Sequence, residues 1–118
     1  MNPTSMTNER LCALAQKSDE TARELLVEKN MGFIVQTADF VYRSSSLEGS
    51  DLNIDMNDLV QEGCIGLLKA IPTYDQSIGV KFLTYAAPFI RNAMTDLVRD
   101  AFSRYAVSYT HLTLPTKA

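Results

Sequence analysis

The sequence predicts an all-α domain of about four helices. Three observations carry this expectation. Apolar residues recur at steps of three and four through most of the chain, glycine (5) and proline (4) are few, and no stretch alternates like a strand. At 118 residues there is room for one domain with a modest core. Apolar residues make up 46% and charged residues 21%, ordinary for a globular chain.

Residues 7–17 read as a short helix, and Ser18 and Asp19 offer caps for a long one. Along it, Val27, Met31, Ile34, Ala38 and Val41 form one apolar face. Gly32 lies within that helix and costs about 1 kcal/mol against alanine, so packing is expected to compensate. The helix fades at Ser44, Ser45 and Ser46, and SSSLEGSDLNIDM, residues 44–56, reads as a loop. A third helix starts near Asp55 or Asn57 and runs to Ala70, before Pro72. Its expected buried stripe is Val60, Cys64, Leu67, Leu68 and Ile71, while Asp58, Gln61, Glu62 and Ile65 occupy another, mostly acidic side. Residues 72–79 form a turn. A fourth helix begins around Leu83 to Tyr85, with Thr84 as its cap and Pro88 at the edge of its first turn, and runs through Arg99.

Composition removes several kinds of function. His111 is the single histidine, and Cys12 and Cys64 stand in no metal-like spacing, so histidine catalysis, metal binding and any cofactor are not expected. The two cysteines read as free thiols of a reducing compartment. The polar start MNPTSMTNER has no apolar run of a leader, and nothing is long enough to span a bilayer. A cytoplasmic location is the expectation.

Charge is uneven. The chain carries a net −3, but residues 80–104 hold Lys81, Arg91, Arg99 and Arg104 against only Asp96 and Asp100. The segment KFLTYAAPFIRNAM, residues 81–94, concentrates aromatic and basic groups. Phe82, Tyr85 and Phe89 are three and four residues apart and share a helical side. Spacing alone favours a core stripe, and it also fits a surface on which unpaired bases stack, with Phe82 partly core in either case.

Two adjoining stretches carry a resemblance. DLVQEGCIGLLKAIPTYDQSIGVKFLTYAAPFIRNAM resembles the second region of bacterial RNA polymerase sigma factors of the sigma-70 type. AQKSDETARELLVEKNMGFIVQTADFVY is similar to the helix that precedes it there, and together they cover about residues 11–100. The resemblance implies a non-enzymatic helical domain with two working surfaces. Asp58, Gln61, Glu62, Ile65 and Leu68 would dock on the clamp helices of the polymerase's largest subunit. Lys81, Phe82, Thr84, Tyr85, Phe89, Arg91, Asn92, Thr95 and Arg99 would hold promoter DNA, chiefly the non-template strand of the −10 element. Within that set, aromatics replace lost base stacking, and Lys81 and Arg91 meet phosphates. An anti-sigma factor is a further implied partner. Pro88 and Phe89 stand where housekeeping members carry two tryptophans, which looks more like the sporulation and other alternative types. Asp96 places a negative charge beside this face. The rival reading from the residues is a helical protein-interaction module without DNA binding.

Residues 106–118, AVSYTHLTLPTKA, break the helical pattern. VSYTHLTLPT looks like a transposon-based sequencing adapter translated in frame. The expected organisation is therefore a leader with a short helix over 1–18, the helical domain over 19–105, and a non-native tail over 106–118. The natural chain would be cut near Tyr105, and the third and fourth regions of a sigma factor lost with it.

Overall fold

The computed structural model describes residues 6–117, with side chains over 6–106. Five helices appear: α1 (Asn8–Gln16), α2 (Glu20–Lys29), α3 (Met31–Ser44), α4 (Met56–Ala70) and α5 (Phe82–Lys117). No strand occurs among the described residues. The all-α expectation stands, with five helices in place of about four.

The extra helix comes from a break at Asn30. The predicted long helix is two, because Asn30 leaves helical geometry at φ −107°, ψ 12° and ends α2 as it begins α3. Its carboxamide donates to Leu26 O at 2.8 Å and to Asn8 Oδ1 at 2.9 Å, and the Asn8 amide donates back at 3.2 Å. Asparagine competes in this way with the helical backbone. The apolar periodicity runs through the break undisturbed, so the pattern gave no warning of it.

Local caps set the other boundaries. Asp19 accepts from the Ala22 N–H, while Ser18 takes the left-handed conformation (φ 72°) that separates α1 from α2. Asp55 and Asp58 form a reciprocal capping box at the start of α4. At its other end the carbonyls of Ile71 and Tyr74 accept from the Gln16 amide at 2.8 and 2.9 Å. Leu47 and Ile54 are buried and pin the 44–56 loop to the core.

Residues before position 19 belong to the same core. Leu11, Cys12 and Ala15 of α1 pack with Leu26, Ile34, Leu59, Leu67, Phe82, Ile90 and Met94. Burial pushes the Cys12 thiol up to about 11, which keeps it an inert core group.

The inner face of α4 differs from the expected stripe. Leu67 and Ile71 are buried as expected, together with Leu59, Gly63, Gly66 and Ala70, whereas Val60, Cys64 and Leu68 are only partly buried. Glycines that carry no hydrophobic signal make the contact. A Cβ at Gly66 would fall on the Phe89 carbonyl oxygen of α5, and one at Gly63 would meet the Met94 methyl and lie 2.9 Å from Ile34 Cγ2. Gly32 has no such reason: a Cβ there meets nothing, so no packing compensates for it.

Helix α5 starts at Phe82, earlier than expected, which puts Pro88 at its seventh residue. The missing N–H therefore costs a hydrogen bond to the exposed Thr84 carbonyl and is not an unpaired first-turn group. The helix also continues past Arg99 to Lys117, because extending an existing helix needs no new nucleus. The side chains of 107–118, where most of the tail falls, lie outside the described residues, as do residues 1–5 of the expected leader.

Candidate nucleic-acid and polymerase interfaces

Helix α4 presents an outward face opposite its glycine contact. Asp58, Gln61, Ile65 and Leu68 follow one another at three- and four-residue steps, and Glu62, four residues after Asp58, flanks them on that face. Ile65 is 43% exposed although apolar, and Gln61 is exposed beside it. Asp58 and Glu62 are partly exposed. Asp58 is not a free charge: its carboxylate accepts the Asp55 N–H at 3.0 Å within the capping box. Leu68 turns to the edge of the face. There it joins Val27 and Cys64 in lining a groove of about 450 Å³, with Glu20, Arg23, Glu24 and Glu28 of α2 beside them and Arg23 paired to Glu20. The face is thus acidic with an apolar centre.

Helix α5 carries the second face. Lys81, Thr84, Asn92, Thr95 and Arg99 are all exposed, and three- and four-residue steps through Pro88 place them on one stripe. Arg91 is exposed on the flank. Arg99 is paired with Asp96 through a charge-assisted hydrogen bond, so the pair offers a phosphate less than a free arginine would. Thr95 donates to the Asn92 carbonyl at 3.2 Å.

The aromatic residues straddle the border of core and surface. Phe82 is fully buried, at 0% exposure, and is removed from the predicted DNA-contacting set. Its ring packs edge-on against Tyr74, 5.3 Å away at 89°. At the first helical position it lies on the inward side, one residue away from Lys81 on the stripe. Tyr85 and Phe89 are half-buried, with centroids 5.2 Å apart, and Tyr74 lies 5.5 Å from Tyr85.

Sequence reasoning missed Tyr74, whose hydroxyl donates to Val80 O at 2.5 Å and closes the turn before α5. An aromatic in a Gly- and Asp-containing turn was the available signal. Lys69 was missed too. With Pro88, Phe89, Asn92, Ala93 and Asp96 it lines a groove of about 230 Å³ beside the aromatic margin. The expected cap was also wrong. Thr84 sits inside α5, and Glu9 of α1 accepts the Phe82 N–H at 2.8 Å instead. That bond holds the Glu9 carboxyl below the usual carboxylate range, with the nearby Lys81 ammonium as a smaller aid.

Among the described residues, no group of three or more His, Cys, Asp or Glu side chains is placed to hold a metal ion. No helix there is long and apolar enough to cross a membrane. Residues 26–104 match the sigma-70 region 2 family. The chain belongs to that family. It is 38% identical over 87 residues to the RNA polymerase sigma-F factor of Bacillus licheniformis, covering 73% of this chain and 31% of the relative. It is 37% identical to the RNA polymerase sigma-G factor of Bacillus subtilis, over 74% of this chain and 30% of that protein. Against the RNA polymerase sigma factor SigA of Mycoplasma genitalium it is 36% identical, over 80% of this chain and 18% of the relative. The sigma-70 region 2 chain thus spans less than a third of the length of these relatives. Both faces, on α4 and α5, lie inside the matched segment.

Proposed function

We propose that this chain serves in transcription initiation, binding core RNA polymerase through α4 and capturing the opened non-template strand of the promoter −10 element through α5. One observation carries the reading. An acidic-apolar face and an aromatic-basic face stand on two helices held in fixed relation by the Gly66–Phe89 backbone contact. On α4, Gln61, Glu62, Ile65 and Leu68 meet the basic clamp helices of the polymerase's largest subunit, and Asp58 contributes from the capping box. Lys81, just before α5, and Arg91 and Asn92 within it track the backbone, while Tyr85 and Phe89 supply ring surface to an unstacked base. Thr84, Thr95 and the Arg99–Asp96 pair border the duplex upstream. The chemistry belongs to the polymerase, and the place of action is the cytoplasm. An anti-sigma factor would compete for the α4 face. A module that bound protein alone would need no aromatic at the surface, yet Tyr85 and Phe89 keep part of their rings there.

Two variants test the faces separately. Glu62→Lys is expected to weaken binding to core polymerase by at least about tenfold, since opposed like charges cost several kcal/mol. Thermal melting should hardly change, because among the described residues no ion pair holds Glu62. Tyr85→Ala should leave core binding intact and weaken single-stranded −10 DNA binding by the polymerase complex by about five- to 150-fold. Unchanged DNA affinity per folded molecule in Tyr85→Ala would reject base capture. Unchanged core affinity in Glu62→Lys would reject the α4 face.

A further inference from the structure

The turn between α4 and α5 brings Thr73 against the tip of Tyr85. Thr73 Oγ1 and Tyr85 Oη lie 2.7 Å apart, with either able to donate. The phenol also reaches the Thr73 carbonyl oxygen at 3.4 Å. Tyr74 is tilted at 53° on one side of the ring and Phe89 at 42° on another. Three restraints therefore meet on one half-buried ring, and the hydroxyl of Thr73 is the one at its outer end.

Thr73 is exposed, and the fold has little use for its hydroxyl. Its other contact is a long one, to Ala70 O at 3.5 Å. The turn is held by Gln16 on the Ile71 and Tyr74 carbonyls and by Tyr74 on Val80 O. A surface tyrosine tied only at its base would swing between rotamers, and stacking a base on it would have to freeze that motion. A ring fixed beforehand removes this ordering cost from binding.

We propose that Thr73 is a positioning residue for base capture, its hydroxyl holding the Tyr85 ring in the orientation that receives an unpaired base. The proposal rests on the DNA-binding role of Tyr85 given above. It assigns no DNA contact to Thr73 itself.

The test uses the chain assembled with Bacillus subtilis core polymerase. The probe is a labelled single strand rich in A and T carrying one 2-aminopurine, whose fluorescence falls when it stacks. Thr73→Val keeps the shape and removes the hydroxyl. It should weaken probe binding by about two- to tenfold and reduce the quenching, with thermal melting unchanged. Thr73→Ser should restore both signals. Tyr85→Phe breaks the same bond from the other end and should show the same loss, and the double variant should be no worse than either single one. Tyr85→Ala separates this proposal from the reading beneath it. If Tyr85→Ala loses affinity while Thr73→Val and Tyr85→Phe bind and quench like the parent, positioning by Thr73 is overturned and base capture stands. If Tyr85→Ala also binds like the parent, base capture falls and the positioning role with it. Losses that simply multiply in the double variant, or that serine does not rescue, also overturn it.

Discussion

Glu9 caps a helix that begins 73 residues later. Its carboxylate meets the positive end of α5 as well as the Phe82 N–H, so charge and hydrogen bond act together. The folded-state carboxyl titrates below its unfolded value, because the Phe82 N–H bonds to its charged form. Its contribution is thus complete above the unfolded value and is lost as pH falls through the lowered folded one. Glu9→Ala should lower stability near neutrality by about 1 kcal/mol, as cap removal does elsewhere. It should also flatten the decline in melting temperature below about pH 4.5. An acid limb as steep as the parent's would show that Glu9 is not the titrating cap. The same residue scale separates Phe82 from Tyr85. One ring is sealed in the core and the other is held at its edge. Asp58 and Glu62 differ likewise, because Asp58 serves the capping box while Glu62 does not.

At the scale of the helices, three glycines with the same propensity cost have different reasons. Gly66 lets α4 approach the backbone of α5, where the nearest atoms belong to the Phe89 carbonyl and cannot swing aside. Gly66→Ala should destabilise by about 1–3 kcal/mol, as overpacking does, and shift the α4 face relative to α5. Gly63 faces side chains, Met94 and Ile34, so its substitution is expected to be milder than that at Gly66. Gly32 faces open space, and Gly32→Ala should stabilise by about 0.5–1 kcal/mol through helix propensity alone. Chemical denaturation of the three variants checks the order. A stabilising Gly66→Ala would refute the close-contact role. Asn30 completes this scale: by bonding to Leu26 and Asn8 it turns one predicted helix into two and ties the break to α1.

At the scale of the molecule, α5 extends over 36 residues, about 54 Å, and gives the structure its long axis of 68 Å. The packed part of that helix reaches Ala101, and Tyr105 still donates to the Asp51 carboxylate at 3.3 Å. Beyond it we propose that residues 106–118 are adapter-derived. Reading the source locus from unfragmented DNA should replace AVSYTHLTLPTKA with other sequence, and recovery of the same residues would refute the proposal.

The sequence by itself determined the all-α class, the caps at Asp19 and Asp55, the loop over 44–56 and the outward side of α4. Each depends on residues close along the chain: periodicity reports one helix face, and a capping side chain acts within three residues. Tertiary structure alone decided what contacts across the chain decide. It buried Phe82, turned the inner stripe of α4 onto Gly63 and Gly66, gave the cap of α5 to Glu9 and set Thr73 against Tyr85. No local pattern encodes these, because a glycine carries no apolar signal and a hydrogen bond between distant segments exists only once packing brings its ends together.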